Sequence, residues 1–521
     1  MFKHIKTAAL ALFACTAFWA CSDDEYTPDP APTDAIENYI SVESVSATDL
    51  SADGGEVTIT VKSGRVPTAR PADTWIVRKS SDRSGDVSTF VFTIAANTGD
   101  ARSTTITFTS GKLTADATIN QAKGEGGGGF QPPVRQDANS SVEMAKLMSL
   151  GWNLGNQFDG HNNGVASETA WGNPAARQDV FDALAAAGIR TVRIPVTWLG
   201  QFGEGPDYKI NDAWLDRVAE VVGYAEKAGL YVIINMHHDG ANSDYWLDIK
   251  GAATDEAKNT AVKAQITAMW TQIANRFAGE GAYLMFEAFN EIHDGGWGWG
   301  DNRKDGGKQY ATLNEWNQTF VDAVRATGGN NATRFLGIPG YCTNPQLTID
   351  HLKLPADSVA DRLLVAVHFY DPVSFAINAE KTEWGHTADP DAKEKWGDEN
   401  NVTEVFDTLK AKFIDRGVPV YIGEFGCGNR DTERAEAFRR YYLEYVCRAA
   451  ADRGIALTYW DNGYNTTGHE AFGLFDRATG AMYSPTARAA VEAMTRGYDR
   501  SDSTRTLQTI YDSAPFAAKT E

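Results

Sequence analysis

The chain has 521 residues, with 48 Lys and Arg against 69 Asp and Glu, and therefore a net charge of −21. Apolar residues make up 42% and aromatic residues 11% of it, which is too much for a disordered protein. Without a basic patch, this charge argues against nucleic acids and anionic membrane surfaces as partners, because both require Lys and Arg to offset phosphate charge. A prior of roughly 150 residues per domain suggests two or three domains, or two if one of them is a large barrel.

Residues 1–21 predict a secretory signal. Lys3 and Lys6 precede an apolar run, residues 7–20, that is too short to span a bilayer. Cys21 and the acidic stretch 22–25 then follow, an arrangement that resembles the surface-export signal of Bacteroidetes lipoproteins. The resemblance implies lipidation at Cys21 and a location on the cell surface, in the outer membrane. Cys15 is a competing lipidation site, and an ordinary cleaved signal with a free cysteine is the alternative.

The remaining cysteines do not indicate a disulfide framework or a zinc site. Of the five in the chain, two lie in the signal, which leaves Cys342, Cys427 and Cys447 without any C-x-x-C pair. We expect these three to be buried small apolar residues, and we expect no structural metal.

The composition divides the chain into segments. Residues 22–38 are rich in Asp, Pro and Thr and predict a tether. Residues 39–123 contain runs with period-two alternation, such as Glu56–Val61 and Phe90–Ile94, which are separated by Gly and Asn turns and predict a small all-β, immunoglobulin-like sandwich. Residues 124–136 form a linker of Gly followed by Pro. Residues 137–500 predict the large domain, and 501–521 a polar tail.

The β segment also resembles a known domain. A Gly-Gly pair before a strand, the stretches 73–76 and 95–98, the strand Arg102–Phe108 and a last strand ending at 120–122 resemble the BACON domain in the same order. This resemblance implies a module between a lipid anchor and a carbohydrate-active domain, with some relatives suspected of binding glycan. We favour a spacer over a sugar binder, because Trp75 is the only Trp here and stands where a core residue is expected.

The large domain alternates apolar strands with helical patterns, so that eight strand–helix units predict a (β/α)8 barrel. Helical patterns such as 176–187 and 213–228 end just before a glycine, the usual helix stop. The predicted strands are Met148–Leu154, Thr191–Val196, Tyr231–Met236, Tyr283–Phe289, Arg334–Ile338, Leu363–Val367, Val420–Ile422 and Ala456–Tyr459.

Polar residues follow these strands, at the end of a barrel where function is found. They are Asn153, Asn156, Arg193, His237, His238, Asp239, Asn290, Glu291, His368, Tyr370, Glu424, Trp460, Asp461 and Asn462. Any one of them could be a helix cap or a satisfied core residue, but a structural barrel does not need such groups at nearly every strand end. Glu291 and Glu424 stand out, because a pair of carboxylates with different pKa values is what glycoside hydrolysis requires.

Six separated motifs then resemble glycoside hydrolase family 5 in order. They are Thr191–Pro195, Ile234–Asp239, Phe286–Glu291, His368–Tyr370, Val420–Gly426 and Tyr459–Asp461. Gly151–Asn156 with Glu168–Asn173 resembles its subfamily 4. The resemblance covers about residues 145–495 and implies a retaining double displacement without a cofactor. It implies that Glu291 is the acid/base, Glu424 the nucleophile and Asn290 a ligand of the sugar 2-hydroxyl, with Arg193, His237, His368, Tyr370 and Trp460 in support.

Substrate residues are predicted from loop positions. We expect Asn156, His238, Trp171, Trp297, Trp299 and Asn462 to contact a neutral β-1,4-linked polysaccharide. The resemblance leaves cellulose-type glucan, mixed-linkage glucan, xyloglucan and glucomannan open, with xyloglucan a leading candidate. Trp198 and Trp246 are as compatible with packing as with sugar binding, and Trp384 is a further loop Trp. Trp214, Trp270 and Trp316 lie in helical runs and are expected in the core.

Two other functions are compatible with part of this pattern. A metal-dependent barrel hydrolase could use His237, His238, Asp239 and His368 as ligands, but it would leave Glu424 and Asn290 without a role. A non-catalytic glycan-binding lipoprotein would not need both Glu291 and Glu424. We therefore expect a monomeric enzyme that acts on polysaccharide.

Overall fold

A computed structural model describes residues 39–123, except positions 53, 74, 96 and 98–100, together with residues 132–516. The chain divides into two compact units, with the boundary after Gly129, and each unit has its own hydrophobic core. The predicted signal and tether, with Cys15 and Cys21, lie outside the described residues.

The first unit is a sandwich of two four-stranded sheets with strand orders β1-β3-β6-β5 and β2-β8-β7-β4. Its core comes from alternate residues such as Val57, Ile59, Phe90, Phe92 and Phe108, as period-two patterning predicts. The predicted all-β fold is thus confirmed. Its strands are β1 Ile40–Val45, β2 Asp49–Leu50, β3 Gly55–Ser63, β4 Thr68–Pro71, β5 Ile76–Ser84, β6 Val87–Ile94, β7 Arg102–Ser110 and β8 Leu113–Gln121.

The second unit contains a closed, parallel, eight-stranded barrel, which confirms the predicted (β/α)8 fold. Its strands, in barrel order from the first, are β9 Leu150–Leu154, β12 Thr191–Ile194, β13 Tyr231–Ile234, β14 Leu284–Glu287, β15 Leu336–Pro339, β16 Leu363–Phe369, β17 Val420–Phe425 and β18 Ala456–Asp461. A short hairpin of β10 His161–Asn162 and β11 Val165–Ala166 lies in the loop after β9.

Helices connect the barrel strands and extend the domain at both ends. They are α1 Ser141–Met148, α2 Gln178–Ala186, α3 Asp212–Lys227, α4 Ile249–Ala252, α5 Glu256–Arg276, α6 Lys308–Ala326, α7 Pro345–His351, α8 Val373–Ala376, α9 Glu399–Lys412, α10 Glu433–Arg453, α11 Pro485–Tyr498 and α12 Leu507–Asp512. Gly188 and Gly229 follow α2 and α3 with φ of +93° and +75°, the left-handed conformation that the predicted helix stops require. No helix of the described part of the chain is both long and apolar enough to cross a bilayer.

One carboxylate, the seam carboxylate Asp461, links the last strand of the barrel to the first. Asp461, at the end of β18, accepts hydrogen bonds from Trp152 Nε1 in β9 at 2.9 Å and from Arg477 Nη2 at 3.2 Å. The main-chain amides of residues 463, 474 and 475 also donate to it. Because Asp461 and Arg477 are buried, this network fixes the loop that follows β18.

The segment predicted to be a polar tail contains helix α12 and packs on the barrel domain. Ile510 is fully buried, and Tyr511 stacks on His386 with 3.7 Å between ring centroids. Arg505 pairs with Glu444 of α10, which also pairs with Arg496 of α11. The polar composition conceals this packing, because a buried Ile, a ring stack and an ion pair are enough to dock so short a segment.

Candidate active site

Arg193 is the centre of a hydrogen-bonded network across the mouth of the barrel. From β12, its Nη1 donates to Glu424 Oε1 at 2.7 Å and to Asn153 Oδ1 at 3.0 Å. Its Nη2 donates to Asn290 Oδ1 at 2.8 Å and to Glu287 Oε1 at 2.7 Å. A guanidinium presents its donors in a rigid fork. One buried side chain therefore sets the positions of four groups that come from three other strands or their ends.

Glu287 is a member of this network to which the sequence analysis gave no role. It is fully buried at the end of β14, where it also accepts hydrogen bonds from Asn235 Nδ2 at 2.9 Å and from the hydroxyl of Tyr421. Burial by itself raises the pKa of Glu287, but attraction to Arg193 and the hydrogen bonds from Arg193 and Tyr421, acting together, leave the pKa below its ordinary value. A signal was present in the sequence, since an acidic residue inside an apolar strand requires a buried cation, and Arg193 lies inside another.

The two predicted carboxylates meet at His368. An oxygen of Glu291, a ring nitrogen of His368 and an oxygen of Glu424 all lie within 4.8 Å of one another. His368 Nδ1 is 2.7 Å from Glu291 Oε1 and 3.6 Å from Glu424 Oε2. The hydroxyl of Tyr370 donates to Glu424 Oε2 at 3.2 Å. Residues from strand ends four, six and seven of the barrel are thus brought into one constellation.

The electrostatic surroundings of the two carboxylates differ. Burial raises the pKa of Glu291 to about 7, and the positive groups around it only partly oppose this effect. Burial also raises the pKa of Glu424, while His368 and Arg193 oppose the rise. Glu424 receives hydrogen bonds from Arg193 and Tyr370. Its charged form is therefore better stabilised than the charged form of Glu291. The arrangement suits one carboxylic acid and one carboxylate at the same pH.

The imidazoles of the site are neutral at ordinary pH. Burial lowers the pKa of His368 to about 4 and of His238 to about 3, and it lowers that of His237 well below its usual range. His237 Nε2 lies 3.8 Å from Glu424 Oε1, and its ring is parallel to that of Trp460 within 6° at 5.9 Å. Neutral rings can orient carboxylates and substrate hydroxyls without adding charge to the site.

A cavity of about 300 Å³ lies beside Glu291. The loops after β9, β13 and β14 form its walls. The lining residues are His161, Trp171, His237, His238, Ala241, Asn242, Asp244, Tyr245, Asn290, Glu291, His293 and Trp297. The rings of His161, Trp171, His238 and Tyr245 contact one another at centroid distances from 5.5 to 6.3 Å. Apolar ring faces interleaved with hydrogen-bonding groups are the chemistry that binds a neutral sugar.

The predicted substrate residues separate into two sets. Trp171, His238 and Trp297 line the cavity, and Trp299 is 79% exposed on the same loop as Trp297. Asn462 is not among the described residues that line the cavity. Its side chain is buried, with Nδ2 donating to the carbonyl of Glu470 at 2.6 Å and Oδ1 accepting from two loop amides. A strand-end position does not reveal that a side chain is fully used by its own loop.

Asn156 shapes the loop after β9. It has a φ of +54°, its amide donates to Asp159 Oδ2 at 3.0 Å, and its carbonyl accepts from Asn173 Nδ2 at 2.9 Å. Asn is among the few residues that tolerate this left-handed conformation. The described residues that line the cavity do not include Asn156, so the structure supports a turn-forming role rather than sugar contact.

The burial of the remaining tryptophans and cysteines indicates their roles. Trp214, Trp270 and Trp316 are buried, as predicted from their helical positions. Trp198 and Trp384 are buried as well, which resolves Trp198 as a packing residue. Trp246 is partly buried and donates from Nε1 to Asp239 Oδ1 at 2.8 Å. Cys342, Cys427 and Cys447 are buried free thiols, as expected.

The acidic residues that a metal-dependent hydrolase could use as ligands have hydrogen-bond partners within the protein. The carboxylate of Asp239 is buried and accepts from the amide of Trp198 at 2.9 Å as well as from Trp246. It therefore supports a loop. Asp159, His237 and His238 do place one ligand-type atom each within 4.8 Å of one another. However, Asp159 receives the amides of Asn156 and Gln157, which gives it a structural role in the loop after β9.

Comparisons with known proteins agree with this geometry. The family model described as Cellulase (glycosyl hydrolase family 5) matches residues 155–466. The BACON model, described as a putative N-terminal binding domain, matches residues 37–122. Endoglucanase A of Paenibacillus barcinonensis is 36% identical over 355 residues, which cover 65% of this chain and 86% of that protein.

Two solved structures extend the comparison. A GH5-4 broad-specificity endoglucanase from Bacteroides salanitronis is 61% identical, with a TM-score of 0.69, covering 71% of this chain and 98% of that one. The xyloglucanase of Bacteroides ovatus, solved with a heptasaccharide, is 29% identical with a TM-score of 0.62. It covers 88% of this chain and 100% of that one.

Proposed function

Because the chain belongs to glycosyl hydrolase family 5, the cellulase family, and carries an N-terminal BACON domain, we propose that it cleaves internal β-1,4-glucosidic bonds of plant polysaccharide by a retaining double displacement. The spacing of Glu291 and Glu424 carries this proposal. One oxygen of each carboxylate lies within 4.8 Å of one oxygen of the other, which fits the separation of roughly 5–5.5 Å in retaining enzymes and is shorter than the roughly 6.5–9.5 Å that leaves room for a water in inverting ones.

Glu291 is the acid/base in this proposal. With a pKa raised to about 7 by burial, it holds a proton for the glycosidic oxygen as the bond to the leaving chain breaks. In the second step, the resulting carboxylate takes a proton from water, whose oxygen attacks the anomeric carbon. His368 at 2.7 Å orients the carboxyl group in both steps.

Glu424 is the nucleophile. Its Oε1 is held by Arg193 and its Oε2 by Tyr370, so the carboxylate cannot rotate away from the sugar. It attacks the anomeric carbon and forms a glycosyl ester, which water then cleaves with release of the carboxylate. Arg193 also holds Asn290 through Oδ1. The amide nitrogen of Asn290 is thereby left free of Arg193 to donate to a sugar 2-hydroxyl.

Replacement of each carboxylate tests this assignment. Glu424→Ala should abolish release of reducing sugar from soluble β-glucans. Glu291→Ala should lower kcat by about 10²–10⁴-fold on polysaccharide, and much less on an aryl glycoside whose leaving group needs no proton. Glu470→Ala is a matched control, because the Glu470 side chain is 58% exposed in the loop after β18. Unchanged activity of Glu424→Ala would instead support a glycan-binding protein without catalysis.

The proposed substrate is a soluble β-1,4-glucan, with xyloglucan the leading candidate. The solved relatives are described as a broad-specificity endoglucanase and a xyloglucanase, which supports this class of backbone. The cavity beside Glu291 is lined by aromatic rings and amides and has no Lys or Arg among its described lining residues, which fits an uncharged chain. Product profiles on cellulose-type glucan, mixed-linkage glucan, xyloglucan and glucomannan rank the candidates. Comparable rates on all four would contradict a preference for xyloglucan.

We propose that the BACON domain is a spacer. Trp75 packs against the core of the sandwich, and the guanidinium of Arg102 covers its ring at 4.2 Å from the centroid. This leaves little of the ring for a sugar. Deletion of residues 39–123 removes one unit with its own core and should leave binding to insoluble cellulose unchanged in a pull-down assay. Loss of binding would assign the domain to the substrate instead.

The cellular location is a further part of the proposal. We propose a monomeric outer-membrane lipoprotein at the cell surface, lipidated at Cys21. The support is the sequence alone, with Lys3 and Lys6, the apolar run and the acidic residues after Cys21. Fatty-acid labelling should be lost in Cys21→Ala and kept in Cys15→Ala, whereas the opposite result would assign Cys15. Size-exclusion chromatography with light scattering should give one chain, 56.7 kDa for the full sequence.

A further inference from the structure

The loop formed by residues 294–303, which we call the platform loop, carries two exposed tryptophans, of which Trp297 lines the cavity beside Glu291. It follows Glu291 by three residues and ends before α6. Trp297 is 57% and Trp299 is 79% exposed. Neither ring is explained by packing into a core, and exposure of large aromatic rings beside a cleft marks a binding surface.

The carboxylate of Asp294 bridges the two ends of the platform loop through hydrogen bonds. Its Oδ1 accepts from the amide of Gly296 at 3.0 Å, and its Oδ2 accepts from the amide of Asn302 at 2.9 Å. Gln309 Nε2 from α6 lies 3.3 Å from the same Oδ2. One carboxylate thus joins the beginning of the loop, its end and the following helix. The mechanism described above does not use it.

The glycines of the platform loop are required by this closure. A Cβ on Gly300 would lie 2.3 Å from Asp294 Oδ1, and a Cβ on Gly296 would lie 2.4 Å from the Cα of Gly300. No side chain fits at either position without opening the loop. The spacing Gly-Gly-Trp-Gly-Trp-Gly therefore reflects a compact backbone and not a flexible linker.

Both rings are held by a neighbour on one side. Trp297 has a φ of +49°, a conformation that costs free energy in a residue with a side chain, and its ring lies 4.3 Å from that of His293. Arg303 places its guanidinium 4.5 Å from the ring centroid of Trp299 and donates from Nε to the carbonyl of Gly298 at 2.7 Å. Strain of this kind persists where the surrounding structure imposes it, commonly in ligand clamps.

We propose that Asp294 is a positioning residue that holds Trp297 and Trp299 as a preformed platform for sugar units of the polysaccharide beyond the catalytic pair. The inference rests on the proposed function. A loop that is already ordered loses little conformational entropy when the polymer binds. The stacking energy of the rings therefore contributes to affinity and does not have to offset ordering of the loop. Asp294 affects binding of long chains and leaves the bond-breaking step alone.

The test separates KM from kcat on two substrates. Asp294→Ala should raise KM for soluble xyloglucan or mixed-linkage glucan about 10-fold by removing preorganisation, with kcat retained within about twofold. An aryl β-cellobioside, which is cleaved beside the catalytic pair, should be turned over as by the wild type. Asp294→Asn keeps one acceptor oxygen for Gly296 and should be intermediate, which gives a second variant if the Ala variant folds poorly.

Asp301→Ala is the matched control. Asp301 lies in the same loop, but its carboxylate is 61% exposed and pairs with the exposed Lys250, so KM should not change. In the Trp297→Ala/Trp299→Ala background, Asp294→Ala should raise KM no further, because both changes remove the same platform.

Three outcomes would overturn the inference. The first is an unchanged KM for polysaccharide in Asp294→Ala. The second is an equal fall of kcat on both substrates, which would indicate a disturbed catalytic centre. The third is a further rise of KM in the Trp-less background. If the wild type itself releases no sugar from any β-1,4-glucan, the proposed function fails instead. Affinity electrophoresis with the same polysaccharides then still compares the retardation of Asp294→Ala with that of the wild type. Equal retardation would overturn the inference.

Discussion

Arg193 is bound more extensively by Glu287 than by Glu424. Its Nε and Nη2 both donate to Glu287 Oε1, at 3.1 and 2.7 Å, whereas only Nη1 reaches Glu424. Both partners in the Arg193–Glu287 pair are completely buried. Glu287 therefore neutralises much of the guanidinium charge, and the nucleophile receives a hydrogen bond without the full attraction of an unpaired cation.

Replacement of Glu287 by Gln should change the nucleophile through Arg193. Without the buried negative charge, Arg193 stabilises ionised Glu424 more strongly and lowers its pKa. A better-stabilised carboxylate is a weaker nucleophile, so kcat should fall by about 10–100-fold. The acidic limb of the kcat/KM profile should move to lower pH, since Glu424 would stay ionised further down the scale. Tyr421→Phe removes only the hydroxyl that donates to Glu287 and should leave that limb in place. An unmoved acidic limb in Glu287→Gln would contradict the argument.

The basic limb of the pH profile should report Glu291. The first step requires the protonated acid, and burial raises the pKa of Glu291 to about 7. The protonated fraction is complete well below pH 7 and is lost as the pH rises through 7, so kcat/KM should fall about tenfold per pH unit above it. In Glu291→Ala, assayed on an aryl glycoside with a good leaving group, this basic limb should be absent. A limb that survives the substitution would belong to another group.

Chelation should leave activity unchanged. The potential acidic ligand Asp239 is occupied by Trp198 and Trp246, and both catalytic carboxylates are engaged by side chains of this chain. Activity on a soluble β-glucan should therefore be the same after dialysis against EDTA as before it. A loss that added divalent metal restores would favour the metal-dependent alternative.

Helix α12 should contribute to stability. Ile510 is fully buried, so Ile510→Ala should lower the free energy of unfolding by about 2–4 kcal/mol through lost burial and a residual cavity. Gln508 lies on the same helix, is exposed and bonds only Asp512 in the described contacts, so Gln508→Ala should change stability by less than about 0.5 kcal/mol. Urea denaturation followed by circular dichroism measures both. Equal stability of the two variants would show that the segment is not docked in solution.

The sequence predicts the barrel well because strand ends and helix stops have local signals. All eight barrel strands are found where apolar runs predict them, and Arg193, His237, Asn290, Glu291, His368, Tyr370 and Glu424 converge as expected. Convergence follows from topology alone, since parallel strands bring their carboxyl ends to one rim.

The sequence leaves the role of a residue open where that role depends on how a loop folds. Asn462 looks like other strand-end amides, but its partners come from residues 464–472 of a folded loop. Trp198 stands in a loop, yet its ring is buried and its Nε1 donates to the carbonyl of Asn235 at 3.1 Å. The sequence does place Glu287 within a strand. An acidic residue inside an apolar strand indicates a buried cationic partner, and the structure identifies that partner as Arg193.

The seam carboxylate Asp461 has a consequence for the order in which the barrel is completed. Its partners include Trp152 on the first barrel strand and Arg477 beyond the last, which are 309 residues before and 16 residues after it in the chain. During synthesis the first strand must therefore wait for almost the whole domain to emerge from the ribosome. Contacts of such separation form late, and until then an open strand edge is exposed to pairing with other chains. We expect substitutions at Asp461 to lower the yield of soluble protein more than their effect on the finished barrel explains.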